Sequence, residues 1–195
     1  IAKRALDLLL AIPLLAILVI VTPFVYVAMR LEGPGPLFIR QDRIGRDFRP
    51  IVVTKFRSMT DSDAGVWKGE STNRVTRVGA FLRRSSIDEL PQVLSVIKGS
   101  LSLIGPRSDV AALAERLAEA IPFYRLRYQV TPGITGWAQV HQKYAPGNIS
   151  PQSIEESHLR LAYDLYYVKH RSPFLDISIA FRTLKTLILR LIPHG

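Results

Sequence analysis

Twenty-two consecutive residues, Leu8 to Met29, carry no charge. A run of that length can cross a bilayer, so it limits the rest of the chain to folds built around a membrane-seeking helix. Three readings compete. A signal peptide would use Lys3 and Arg4 as its basic start, but no small-x-small cleavage site follows cleanly and the apolar run is long. A plain spanning helix fits the length. A re-entrant helix fits two further features. Pro23 lies deep in the run and removes an intrahelical hydrogen bond. Thr22 just before it can offer a hydroxyl to freed carbonyls. The flanks are also basic on both sides, with Lys3 and Arg4 before the run and Arg30, Arg40, Arg43 and Arg46 after it. Positive flanks stay in the cytoplasm, so a segment with two such flanks is expected to dip in and return. The expected architecture is a re-entrant membrane helix over 1–30, broken at Thr22-Pro23, followed by a single further domain over 31–195. No linker or internal repeat divides that remainder.

Net charge is +10, yet 48% of the residues are hydrophobic. Nucleic-acid binders gather their charge on one face. Here lysine and arginine interleave with apolar runs, which points to a membrane surface and away from nucleic acid. The chain has no cysteine, so disulfides and thiolate metal sites are excluded.

The fold class expected is α+β and mostly helical. Leu31 to Pro36 reads as a turn, and Leu37–Arg40 and Pro50–Phe56 as short strands joined through Gly45-Arg46-Asp47. Met59 to Arg74 reads as a polar loop. Helices are expected from Val78 to Arg84, from Ser86 to about Lys98, from Val110 to about Tyr128 and from Ser153 to His170. Loops are expected at Thr131–Gly136 and Pro146–Pro151. Phe174 to Ile192 is apolar but interrupted by Arg182, Lys185 and Arg190. Those charges make spanning costly, and a basic amphipathic helix at the interface suits the segment better.

The densest chemistry lies at Ser85-Ser86-Ile87-Asp88-Glu89-Leu90-Pro91-Gln92. Ser86 and Glu89 stand at capping-box spacing, and the first turn of a helix favours ionised carboxylates and phosphates. From spacing alone, helix capping is the commoner meaning of such a pair. Three basic clusters argue for chemistry: Lys55-Phe56-Arg57, Arg83-Arg84 and Arg107. Arginine grips phosphate in a bidentate fork, and carboxylates among arginines serve as nucleophiles or with a metal. Asp164, in a mostly apolar helix, is expected to pair with an arginine. Trp137 and Tyr144 are candidates for stacking, although packing is the simpler role for Trp137. There is no Walker loop, GxGxxG or GxSxG, and no two of the four histidines have metal-ligand spacing.

Taken in order, these residues resemble the bacterial sugar transferase family, the monotopic phosphoglycosyl transferases. The likeness runs from about Lys3 to about Lys185. It is carried by Lys3-Arg4-Ala5-Leu6-Asp7, Gly33-Pro34-x-Pro36-Leu37-Phe38, Gln41-x-Arg43-x-Gly45, Lys55-Phe56-Arg57-Ser58-Met59 and Thr76-Arg77-Val78-Gly79. It continues with Leu82-Arg83, Ile87-Asp88-Glu89-Leu90-Pro91-Gln92, Gly99-x-Leu101-Ser102-Leu103-Ile104-Gly105-Pro106-Arg107, Pro132-Gly133-Ile134-Thr135-Gly136-Trp137-Ala138-Gln139 and Asp164-x-Tyr166-Tyr167.

The resemblance implies transfer of a sugar-1-phosphate from a UDP-sugar to undecaprenyl phosphate, with release of UMP and a requirement for Mg2+. It implies Asp88 as nucleophile and Glu89 as the neighbouring acid, both candidate magnesium ligands. Lys55, Arg83, Arg107 and Asp164 form the implied substrate-binding set. The implied location is the cytoplasmic leaflet of the bacterial inner membrane, among its lipids. A homodimer is allowed, though no pattern in the chain encodes one. Two departures stand out. Val140-His141-Gln142 replaces the frequent Val-Asn-Gly, which can alter sugar contacts. Ser108 replaces a second proline after Pro106-Arg107, which is expected to loosen the aim of Arg107. Two rival readings are a lipid-binding membrane adaptor and a lipid-phosphate hydrolase with an aspartyl intermediate.

Overall fold

The computed structural model describes residues 2–59, 75–144 and 150–191. Most of the loop expected over Met59–Arg74, and of that over Pro146–Pro151, lies outside the described residues.

Helix α1 (Ala2–Glu32) runs unbroken through Pro13 and Pro23 and is long and apolar enough to cross a membrane. The break expected at Thr22-Pro23 is therefore not an interruption of the helix. The proline ring's fixed φ suits a helix, and its missing N–H costs one hydrogen bond. Thr22 Oγ1 donates to the Leu18 carbonyl at 2.6 Å, one turn back. That is not the Val19 carbonyl which the proline frees.

One stripe of α1, through Asp7, Ala11, Leu18, Val25 and Met29, is buried against the rest of the protein. The spacing of four and seven residues is that of one helix face. Leu9, Ile12, Val19, Ile20, Phe24, Val27 and Leu31 point outward and are exposed. Both ends of α1 are tied to the same body. Arg4 donates to the Val96 and Ile97 carbonyls, capping the C-terminus of α3 (Val93–Lys98). Asp7 accepts from Ser102 Oγ and the Leu103 amide. At the other end, Glu32 accepts from the Arg77 and Val78 amides at the start of α2 (Arg77–Arg84).

Strands β1 (Phe38–Ile44) and β2 (Pro50–Phe56) form the expected antiparallel hairpin, with Phe38 opposite Phe56 and Gln41 opposite Val53. A first core joins Ala11, Leu18, Val25 and Met29 of α1 to Val53, Phe56, Leu82, Val93, Val96 and Leu101. Each of these side chains larger than alanine contributes about 1.5–3 kcal/mol by leaving water. A second core gathers Ile44, Ala114, Leu117, Ile121, Tyr124, Tyr128 and Leu161.

Two expected helices are divided. The one from Ser86 begins as a 3-10 turn, Ile87–Gln92, before α3. Pro91 lacks an N–H and crowds the carbonyl one turn back, so the chain tightens there. Ser86 stands at φ +58° and its hydroxyl caps nothing, so the capping box does not form. The helix expected over Val110–Tyr128 stops as α4 (Ala111–Ala120), and Pro122 separates it from a 3-10 segment at Tyr124–Gln129. Within the expected Thr131–Gly136 loop lies β4 (Gly133–Thr135), paired in parallel with β3 (Ser102–Ile104). A short α5 (Trp137–His141) follows. The remaining helices, α6 (Ile154–His170) and α7 (Pro173–Leu191), match expectation. The Ser153–Glu156 cap forms, the hydroxyl accepting from the Glu156 amide at 3.1 Å. Helix α7 exposes Phe174, Ile177, Phe181, Leu184 and Ile188.

Candidate active site

Four elements converge on one cavity of about 170 Å3. Strand β2 brings Lys55, the end of α2 brings Arg83, the 3-10 turn brings Asp88 and Glu89, and the turn after β3 brings Arg107. These are five of the six expected catalytic and substrate-binding residues. Arg43, Asp109 and Arg160 also line it, giving five cations to three carboxylates among the described residues. The volume is below the roughly 300–1,000 Å3 of small-molecule pockets. Met59 and Ser150, which border the undescribed segments, lie on its wall.

The two neighbouring acids differ sharply. Glu89 is fully engaged: Lys55 Nζ donates to Oε1 at 2.9 Å, and Arg107 grips both oxygens in a fork. Burial would raise the Glu89 carboxyl, but the Arg107 and Lys55 cations outweigh it and hold it well below its ordinary value. A group so held is a poor proton acceptor, and it fixes the Lys55 and Arg107 cations in place. Asp88 is 8% exposed and its carboxylate accepts no hydrogen bond from a described residue. Burial, and then the Glu89 charge, push it up to about 6, against the pull of Lys55, Arg107 and Arg83. Its ionisation is therefore not protected by a helix cap, yet at neutral pH it is still mostly charged. Burial pushes Lys55 down to about 8, with Glu89 pulling the other way.

Those two values set an expected pH profile. With Asp88 as the nucleophile and Lys55 as the phosphate-binding cation that the family resemblance implies, Asp88 must lose its proton to attack and Lys55 must keep its own. The donor kcat/KM should therefore rise through about pH 6 and fall through about pH 8. Initial rates from pH 5 to 9 check this. A flat profile across that range removes one or both groups from the reaction.

Arg107 is fixed from behind despite Ser108 in place of proline. Arg127 Nη2 donates to the Arg107 carbonyl at 2.8 Å, Arg43 Nη1 holds the Ser108 carbonyl, and Arg107 Nη1 reaches the Ile134 carbonyl at 3.1 Å. The turn also presses on β4. A Cβ at Gly133 would lie 2.1 Å from the Gly105 amide nitrogen, and one at Gly136 equally close to the Gly105 carbonyl oxygen. Backbone contact there tolerates no side chain, so the expected loosening is not found.

Asp164 is not on the cavity wall. It is buried behind it, where its Oδ2 accepts from Arg127 Nε at 2.9 Å and Nη2 at 2.7 Å. The arginine pairing expected for it is present, and the direct substrate contact is replaced by support of the wall. Sequence reasoning missed the network around it. Asp109 accepts from Tyr124, Tyr128, Arg127 and Arg160. The signal available was a polar stripe, Ser157, Arg160 and Asp164, on the otherwise apolar inner face of α6. Trp137 packs on Tyr166 and His141, with ring centroids 5.2 and 3.7 Å apart. Tyr144 donates to Gln142 Oε1 at 2.9 Å.

The bacterial sugar transferase family model matches residues 1–190. The chain belongs to that family. A bacterial sugar transferase from Aeromonas hydrophila, named UDP-N-acetylgalactosamine-undecaprenyl-phosphate N-acetylgalactosaminephosphotransferase, is 38% identical over 95% of this chain and 43% of its own length. The UDP-glucose:undecaprenyl-phosphate glucose-1-phosphate transferase of Escherichia coli K12 is 41% identical over 93% of this chain and 39% of its own length. This sugar transferase chain thus spans about two fifths of those two relatives. Exopolysaccharide production protein PSS of Rhizobium leguminosarum bv. phaseoli matches along nearly its full length, at 34% identity over 96% of both chains.

Proposed function

We propose that this chain transfers a sugar-1-phosphate from a UDP-sugar to undecaprenyl phosphate at the cytoplasmic face of the inner membrane. The observation that carries the reading is Asp88, a buried carboxylate without a hydrogen-bond partner among the described residues, in a cavity lined by five cations. The names of the relatives supply the substrate classes.

In the first step an Asp88 oxygen attacks the sugar-bearing β-phosphorus. The bond from that phosphorus to the bridging oxygen breaks, and UMP leaves with the electron pair. In the second step an oxygen of undecaprenyl phosphate attacks the same phosphorus, and the Asp88 carboxylate departs. The product is a polyprenyl-diphosphate-linked sugar. One nucleophile lets a water-soluble donor and a lipid acceptor use the site in turn. Lys55, Arg83 and Arg107 offset charge on the transferring phosphoryl group. Glu89 positions Lys55 and Arg107.

Asp88 also fits magnesium. Its oxygens take no hydrogen bond from a described residue, whereas both Glu89 oxygens are occupied. A magnesium ion needs only one or two carboxylates when a diphosphate and waters complete its shell. It would add charge neutralisation at the phosphates.

The two tied ends of α1 support a membrane path that returns to the side it left. A spanning helix separates its ends by about 30 Å of hydrocarbon. Here Arg4 and Asp7 at one end and Glu32 at the other bond to one body. We read α1 as entering and leaving on the same side, bent at Pro23, with α7 lying in the interface. A single cysteine placed near residue 2 should resist membrane-impermeant thiol reagent in intact cells. Labelling from outside rules this topology out.

The test of the activity is UMP release over a panel of UDP-sugars with undecaprenyl phosphate and magnesium. Release from at least one donor is expected. A chain that binds anionic lipid and releases UMP from none of them is an adaptor. One that frees phosphate from the lipid without a nucleotide sugar is a hydrolase.

A further inference from the structure

Arg160 is a buried wall cation with unused bonding capacity. It rises from α6, is 6% exposed, and lines the cavity with Ser157 and Gln152. Its Nη2 donates to Asp109 Oδ1 at 2.7 Å and to the Tyr124 hydroxyl. Its Nε is sealed from solvent and has no hydrogen-bond partner. Its Nη1 donates to no described residue. An unmet buried donor costs about 1–3 kcal/mol and calls for an explanation. Arg160 also lies close enough to Arg107 for the two cations to repel. Each guanidinium already holds one carboxylate, Glu89 for Arg107 and Asp109 for Arg160, and the donors Arg160 has left are open to a further anion.

Taking the proposed phosphoglycosyl transfer as given, the geometry points to Arg160 as a second phosphate subsite, holding the nucleoside-side phosphate of the diphosphate donor. The sugar-bearing phosphate belongs beside Asp88, Lys55 and Arg107. Nucleophile and leaving oxygen must lie in line across it, so the departing phosphate needs a cation on a wall apart from that cluster. Helix α6 packs on α4, α5 and the Tyr124–Gln129 segment. The apolar groove suited to a lipid chain is built instead on α1, from Leu18, Thr22, Pro23 and Tyr26 with Phe38 and Leu94, and includes no residue of α6. The charge that Arg160 meets therefore belongs to the donor. As the phosphorus–oxygen bond breaks, negative charge grows on the UMP phosphate, where this guanidinium stands.

The test uses the full chain in detergent or nanodiscs, with Asp88→Asn in place to stop turnover. Dissociation constants for UMP and uridine are measured by equilibrium dialysis. Arg160→Gln should raise the UMP constant at least ten-fold and leave uridine within two-fold, with Arg160→Lys between. In chains that keep Asp88, the second-order rate constant of the one-equivalent UMP burst without acceptor should fall, and the KM for undecaprenyl phosphate in the full reaction should not move. An unchanged UMP constant overturns the subsite. Equal loss of UMP and uridine overturns it too, leaving a wall residue only. A raised acceptor KM with normal donor parameters assigns the charge to the lipid phosphate and overturns the donor assignment. If Arg160→Gln does not fold, Arg160→Lys decides, because it keeps the charge and loses the fork. An unsubstituted chain that binds UMP but turns over no UDP-sugar refutes the activity and leaves the binding comparison intact.

Discussion

Asp88→Asn should reduce UMP release by at least ~10^4-fold, in line with removal of a covalent nucleophile elsewhere. Asparagine has the same shape and cannot form the acyl-phosphate bond, so UDP-sugar should still bind and no phosphosugar adduct should appear by mass spectrometry. The same change should stabilise the fold, which an ordinary loss-of-function substitution does not do. The sign follows from Asp88 itself. Its carboxyl stands at about 6 in the folded chain against an ordinary 3.8. The folded state therefore holds this proton more tightly than the unfolded state. Asp88 weakens the fold progressively as pH rises from about 4 to 6, and fully at neutral pH. Lifting a carboxyl by that amount costs at most about 3 kcal/mol. Asparagine carries no such charge. A chain of this size shifts its Tm by about 2–4 °C per kcal/mol, so Asp88→Asn should melt several degrees higher at pH 7. The difference should vanish near pH 4. Substantial turnover by Asp88→Asn sinks the nucleophile assignment, and a lower Tm at pH 7 sinks the electrostatic one.

Arg127→Met should be the most damaging single change to stability, about 3–5 kcal/mol in a urea melt, the range for breaking a buried ion pair by removing one partner. Arg127 is completely buried. It joins Asp109, Asp164, Tyr128 and the Arg107 carbonyl. Methionine fills similar volume, so the loss reports charge more than cavity. Asp109 would keep Arg160 and two tyrosines. Asp164 would keep no partner, since its Oδ1 already has none. Burial already raises the Asp164 carboxyl despite Arg127. Without Arg127 it should take up a proton, so the variant should lose least at acidic pH. Adding Asp164→Leu should recover part of the loss, as expected for residues in one network. A loss below 1 kcal/mol, or additive behaviour of the two changes, contradicts this account.

Legibility differed by element and by length scale. The strands, α2, α6 and α7 were readable because each follows its own hydrophobic period with turn residues at its ends. Local stereochemistry hid the two divided helices. Pro91 and Pro122 stand inside apolar patterns that continue past them, and the pattern outweighs the punctuation when read alone. Strand β4 was hidden for another reason. Three residues with no period of their own become a strand only because Gly133 can touch the backbone of Gly105, 28 positions away. The capping-box reading of Ser86 and Glu89 failed because a tertiary partner won. Arg107 and Lys55 offer Glu89 charge-assisted bonds, each worth about 1.5–3 kcal/mol, more than a neutral amide offers.

What the sequence determined by itself was the set of parts: an uncharged run that needs lipid or a partner, an amphipathic C-terminal helix, and an ordered series of motifs that names the family. Those depend on composition and order along the chain, which folding does not alter. What only the tertiary structure decided was the division of labour between neighbours. Asp88 and Glu89 share a backbone, yet one takes no hydrogen bond from a described residue and is protonated more readily than an ordinary carboxylate, while the other is pinned as an anion by cations 34 and 18 residues away. Burial and Coulomb attraction act through space, and no spacing along the chain records which of two adjacent carboxylates turns toward the cations.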